Sequence, residues 1–121
     1  MAKIKFAWIS RHTLTEDQMS DLRRIYGDDI EIEQVNGTFN RAADLSDVIG
    51  RNDVIGVVLP INLISDVLRL ASGRPVIRAI NRRIPTGRTI IGASGAPEQE
   101  FIFQHGGWER IEKVEVVTHL L

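Results

Sequence analysis

Cysteine is absent from the 121 residues, histidine occurs three times, and lysine appears only as Lys3, Lys5 and Lys113. Without cysteine there are no disulfides, no thiolate nucleophiles and no Cys-rich zinc sites, and three scattered histidines disfavour a three-His metal centre. What remains is arginine, carboxylate, hydroxyl, amide or lone-histidine chemistry, with no resident cofactor expected. No apolar run approaches the roughly 20 residues of a spanning helix. The opening Met1-Ala2-Lys3-Ile4-Lys5 lacks the apolar stretch and cleavage site of a signal peptide, so a cytoplasmic protein without membrane contact is expected. The length fits one domain of roughly 100–150 residues, here spanning 1–121, and 43% hydrophobic residues supply an ordinary core.

Acidic residues are missing altogether between Asp66 and Glu98, a stretch that holds Arg69, Arg74, Arg78, Arg82, Arg83 and Arg88. Arginine's planar fork suits bidentate contacts to phosphate or carboxylate. The whole chain carries a net charge of −1, which gives no field to draw in duplex DNA.

Hydrophobic spacing orders the chain. Lys3–Ile9 reads as an apolar strand. Thr15-Glu16-Asp17-Gln18 has capping-box spacing, with Leu14 and Met19 placed as a hydrophobic staple, so a helix starts at Thr15 and ends at Gly27. Asp29–Val35 alternates as a half-buried strand and Asn36-Gly37-Thr38 follows as loop. Ala42, Leu45, Val48 and Ile49 recur at helical spacing. Asp53–Leu59 is almost wholly apolar, the pattern of a strand buried on both faces. A third helix runs from Pro60 to Gly73, Pro75–Ile80 is the next strand, and Asn81-Arg82-Arg83 is expected to leave it as a loop. Thr89–Ile91 reads as a short strand and Gly92–Pro97 as a mobile loop. Phe101–Gln104 and Trp108–Thr118 are expected to form a hairpin turning at His105-Gly106-Gly107. Alternating strands and helices predict an α/β fold, a Rossmann-like mostly parallel sheet flanked by helices with a C-terminal edge β-hairpin.

In such sheets ligands sit beyond the carboxyl ends of the strands. The loops selected by that rule are Ser10–Thr13, Asn36–Thr38, Pro60–Asn62 and Asn81–Arg83. Ser10-Arg11-His12-Thr13, between a strand and a helix N-terminus, offers a guanidinium, an imidazole and two hydroxyls to an anion. Asn81, Arg82 and Arg83 are expected to converge on the same charge. Gly92-Ala93-Ser94-Gly95-Ala96 fits neither a phosphate loop, which ends in Lys-Ser or Lys-Thr, nor a nucleophile elbow, which needs glycine where Ala96 stands. Trp108 is expected to pack on the sheet or on a partner chain rather than stack on a base.

Ser10-Arg11-His12-Thr13-Leu14-Thr15-Glu16-Asp17-Gln18 after an N-terminal strand resembles the signature of small CRISPR-associated accessory proteins of type III systems, relatives of the CRISPR-associated Rossmann-fold (CARF) sensors. The resemblance covers residues 3–26. It implies a single CARF-like domain acting as a ring nuclease, which opens a cyclic oligoadenylate messenger without a metal and switches off antiviral signalling. A ribose 2′-hydroxyl attacks the adjacent phosphate and leaves a 2′,3′-cyclic phosphate, a reaction that asks for alignment and charge stabilisation. It also implies a homodimer matching the ligand's two-fold symmetry. In that scheme Arg11, Arg82 and Arg83 hold phosphates, His12 assists proton transfer, and Ser10, Thr13, Asn36 and Asn62 position ribose or adenine beside Asn81. Two other classes stay open: a non-catalytic nucleotide sensor, and an interaction subunit that presents the Trp108 hairpin and binds no nucleotide.

Overall fold

The computed structural model describes residues 3–37 and 41–121, without the side chain of Ala42; Met1, Ala2 and Thr38, named above, lie outside them. Strand β1 (Ile4–Ile9) leads through helix α1 (Glu16–Tyr26) to β2 (Ile30–Val35). A 3₁₀ turn (Ala42–Leu45) and a short helix α2 (Ser46–Gly50) connect to β3 (Val54–Val57), and α3 (Ile61–Ala71) connects that strand to β4 (Val76–Ile91). Strand β5 (Pro97–Arg110) closes a five-stranded sheet in the order β2-β1-β3-β4-β5. All neighbouring pairs are parallel except β4 with β5.

Alternation along β1 divides the core between the two faces of the sheet. Phe6 and Trp8 meet Leu22 of α1, Val54 and Ile77 on one face, while Ala7 and Ile9 meet Ile64 and Val67 of α3 on the other. Helix α1 begins where the capping signal places it. Thr15 Oγ1 accepts from the Gln18 amide at 3.2 Å, and Gln18 Oε1 accepts from the Thr15 amide at 2.9 Å. Both orphan donors are satisfied by residues three apart, so the signal is readable without knowledge of the fold.

Below the sheet, Glu33 of β2 ties down the turn that follows α2. Arg51 pairs with its carboxylate, and Asn52 Nδ2 donates to Glu33 Oε1 at 3.0 Å and to the Val48 carbonyl at 2.8 Å. The hydrogen bond from Arg51, then that from Asn52, lowers the Glu33 pKa to about 2. A carboxyl depressed in the folded state stabilises above its ordinary pKa and loses that contribution as pH falls through the folded value. Solvent screening of half-exposed Arg51 holds the contribution to about 1 kcal/mol. Urea midpoints measured from pH 4.5 down to 2 should therefore fall more steeply for the wild type than for Glu33→Gln.

The C-terminal third departs from the sequence expectation. Asn81, Arg82 and Arg83 do not leave the strand as a loop; β4 continues through them to Ile91 and absorbs the separate strand expected at Thr89. Only Val76 and Ile77 pair with β3, so beyond them β4 pairs with β5 alone, and the two form an antiparallel ribbon running past the carboxyl end of β3. Pro85 is tolerated because the strand has a free edge there. Within the expected Gly92–Pro97 loop, residues 92–96 are the turn joining β4 to β5, closed by Gly95 N to Gly92 O at 3.0 Å and Gly92 N to Ala96 O at 2.9 Å, and Pro97 already belongs to β5. Residues 111–121 form no strand despite their alternation. Arg110 pairs with Ile77 and the Ile111 amide donates to the carbonyl of Val76, the first residue of β4, at 2.8 Å, so the chain beyond Ile111 has no partner strand.

His105-Gly106-Gly107 is a bulge inside β5 and not a turn. Ile80 faces Gly107 while Asn81 faces His105, which leaves Gly106 as an extra residue. Three residues apart on a regular strand, His105 and Trp108 would point to opposite faces. The extra residue resets the alternation, and both reach α1: His105 Nε2 lies 2.9 Å from Asp21 Oδ2, and Trp108 Nε1 donates to the Gln18 carbonyl at 3.3 Å. Gly107 sits at φ +129°, a conformation that side chains resist. Gly107→Ala should cost about 1–3 kcal/mol, read as a shift in chemical denaturation.

Candidate functional site

Chain direction at the middle of the sheet creates a crevice. The segment leaving β1 turns to α1 on one face, whereas the segment leaving neighbouring β3 turns to α3 on the other. Such a divergence beyond the carboxyl ends of strands is where open α/β sheets bind ligands. Here it holds a cavity of about 540 Å³, within the range of roughly 300–1,000 Å³ for small-molecule sites. The overhanging β4–β5 ribbon supplies its third wall.

Ser10, His12 and Thr13 line this cavity from the β1 loop, Gln18 from α1, and Asn81 and His105 from the ribbon. The loop is held from beneath. Trp8 Nε1 donates to the His12 carbonyl at 2.6 Å, Gln34 Nε2 donates to the carbonyls of Ser10 (3.2 Å) and His12 (3.1 Å), and buried Ser10 accepts from the His12 amide at 3.0 Å. Three donors fix the backbone while leaving the His12 and Thr13 side chains exposed. A smaller cavity of about 240 Å³ adjoins it, sharing Ser10, His12, Val58 and Leu59 and adding Arg11, Gly37 and Pro60.

The structure thus brings together Ser10, Arg11, His12, Thr13 and Asn81, and leaves Asn36, Asn62, Arg82 and Arg83 off both linings. Asn36 is exposed after β2, and Asn62 is exposed in the first turn of α3. Arg82 pairs in register with Gln104, on the opposite face of the ribbon from Asn81. Arg83 places its guanidinium 3.9 Å above the Phe101 ring. The acid-free stretch is not a concentrated positive field either. Arg69 pairs with Asp66 and Arg78 with Glu109, the latter an acid brought from far along the chain by β5. Among the described residues, Arg78 is the one guanidinium on the larger cavity's wall.

Gln18, Arg78, Phe103, Gln104 and His105 were not among the residues expected at the site. Gln18 reads in the sequence as part of the helix cap, where its amide and side-chain oxygen are used, while its carbonyl accepts from Trp108 of β5. The ribbon residues enter because β4 and β5 extend past the sheet, which depends on a pairing that no local signal announces. The α1 terminus itself is poorly suited to an anion: its capping box is closed, and Glu16 and Asp17 stand in its first turn. Asp21, one turn further along, is held below the usual carboxylate range, first by the hydrogen bond with His105 and then by that from Arg24.

Among the described residues no cluster of three His, Asp or Glu could hold a metal ion, and no helix is long and apolar enough to cross a membrane. No protein-family model, curated protein or solved structure matches the chain.

Proposed function

We propose that the chain is a Rossmann-like nucleotide-binding domain that takes a cyclic oligoadenylate at the crevice between β1 and β3 and opens the ring without a metal. The observation that carries this reading is the placement of Ser10, His12 and Thr13 with Asn81, some seventy positions along the sequence, around one cavity at that crevice. Neutral groups dominate its polar lining: the amides of Gln18, Asn81 and Gln104 and the hydroxyls of Ser10, Thr13 and Thr15 stand against the guanidinium of Arg78, and they match the donors and acceptors of a purine edge and ribose better than a phosphate. Phe103, 74% exposed, offers a face on which a base can stack. The adenosine moiety therefore occupies the larger cavity. Ser10 and His12, shared with the smaller cavity that Arg11 lines, set the reacting phosphate at the boundary between the two. Arg82 and Arg83 have no part in this placement within one copy. A cyclic ligand with an even number of units has two-fold symmetry, which two copies sharing one ring would match.

The test is incubation of the protein with cyclic tri-, tetra- and hexa-adenylate in EDTA, with products identified by chromatography and mass spectrometry. Linear products ending in a 2′,3′-cyclic phosphate are expected from one ring size. Binding with the ring left intact would make the domain a sensor, and absence of binding to all three would refute the nucleotide reading.

A further inference from the structure

Arg69, Arg78 and Arg110 each pair with an acid. Arg83 is exposed, and among the described residues no carboxylate pairs with it. Strand alternation is the cause. Strand β4 carries no acid, and Glu98 and Glu100 of β5 fall on the opposite face of the ribbon from Phe101 and Phe103. Arg83 shares the face of the two phenylalanines: Phe103 is its direct cross-strand partner, and its guanidinium lies 3.9 Å from the centroid of the Phe101 ring. That contact holds a long side chain over one ring while no acid claims its N–H donors.

The position of this pair relative to the cavity indicates its partner. Phe103 lines the larger cavity and is 74% exposed, whereas Arg83 and Phe101 line neither cavity. From Phe103 to Phe101 is two residues, about 7 Å along the strand, in the direction of the turn at 92–96. The guanidinium therefore leans away from the cavity, to where a chain passing over Phe103 would leave it. An exposed ring followed by a fixed cation on an acid-free face suits a single-stranded oligonucleotide, with a base stacked on the ring and the backbone held by the cation. A mononucleotide in the cavity would reach the ring and stop short of the cation.

We propose that Arg83, held by Phe101, is a second phosphate subsite: it takes the phosphate on the far side of Phe103 from the reacting one, and so selects an oligoadenylate over a mononucleotide. This subsite rests on the nucleotide reading of the crevice and does not depend on ring opening. Every internal nucleotide of an oligoadenylate carries a phosphate link on each side. With one link set beside Ser10 and His12, the other leaves the adenosine across Phe103 towards Arg83. The planar guanidinium offers paired N–H donors to phosphate oxygens. Phe101 is a positioning residue: its ring limits where the guanidinium can go and so lowers the cost of ordering it on binding.

Calorimetric titrations with linear 2′-fluoro mono-, di- and tri-adenylate test this; these probes have no 2′-hydroxyl to attack, so turnover does not intervene. The trimer should bind the wild type at least about 10-fold more tightly than the monomer, the gain of one charge-assisted contact. Arg83→Gln should collapse that ratio towards one. It should also reduce the slope of log affinity against log salt for the trimer by about 0.7, the loss of one phosphate contact. Phe101→Leu keeps the charge and should lose part of the ratio with the slope retained. Where Arg83→Gln does not fold, Phe101→Leu decides, and an unchanged ratio there overturns the subsite. A wild type that binds monomer and trimer equally, or a ratio and slope unmoved by Arg83→Gln, would overturn it too and leave the crevice reading standing. A wild type that binds none of these probes and none of the three cyclic rings would remove both.

Discussion

Trp8→Ala is expected to destabilise the fold by about 3–5 kcal/mol, the cost of emptying a large buried aromatic site. Trp8 is 2% exposed and lies between Phe6, at 6.4 Å between ring centroids, and Trp108, at 5.6 Å in an edge-to-face arrangement. The same side chain donates to the His12 carbonyl, so its loss also releases the loop carrying Ser10, His12 and Thr13. Trp8→Phe separates the two effects. It keeps most of the aromatic packing and removes the donor, with an expected cost of about 1–2 kcal/mol. Ligand affinity should then fall out of proportion to stability. Chemical denaturation and ligand titration on both variants supply the comparison.

Gly56→Ala should be the most disruptive single added methyl group. A Cβ at Gly56 would stand 2.5 Å from Phe6 Cζ and 2.9 Å from Trp8 Cε3. Phe6 has no exposed surface, and its ring already meets Trp8 and Trp108. No rotation into solvent relieves the overlap. Overpacking of this kind costs about 1–3 kcal/mol, and the upper end is expected because three aromatic rings must move together. Gly50→Ala is the control: nothing lies within 4 Å of a Cβ there, and a helix-terminal alanine should hold or raise stability by up to about 1 kcal/mol. Thermal midpoints of the two variants should shift in opposite directions or differ by several degrees.

The elements built from local signals were legible. The Thr15 cap, the apolar run of β3 and the stripe of α3 are each decided within a few residues, and each stands where the spacing places it. The expectation failed where pairing is distant. Asn81-Arg82-Arg83 and Pro85 look like punctuation, yet β5 holds them in a strand because each has a partner opposite among residues 101–105. Between Pro85 and Thr89 the register shifts, and the chain takes up Thr86, Gly87 and Arg88 as a second bulge. His105-Gly106-Gly107 has the composition of a turn because a bulge and a turn both need glycine, and only the partner strand tells them apart.

The same distinction runs through the site. Ser10, His12 and Thr13 were readable because a loop after a first strand is fixed by chain order alone. The arginines of the acid-free stretch were not. Their sequence clustering implied a shared field, but strand alternation sends Arg82 and Arg83 to different faces, and β5 brings Glu109 to Arg78. In place of a positive pocket, the cavity is lined by amides, hydroxyls and imidazoles, and the Arg78 guanidinium on its wall is paired with Glu109. Under the proposed nucleotide reading, such a lining suits contacts to base and sugar more than contacts to phosphate.

The most direct test of the crevice as the ligand site is a ¹H–¹⁵N titration of the full chain with cyclic tetra-adenylate in EDTA, read at early times before turnover. Amide shifts should concentrate at Ser10–Thr13, Val58, Leu59, Asn81 and Gln104–His105, around both cavities. Shifts confined to the turn at residues 92–96 or to the outer face of α3, with the β1 loop unmoved at saturation, would contradict it.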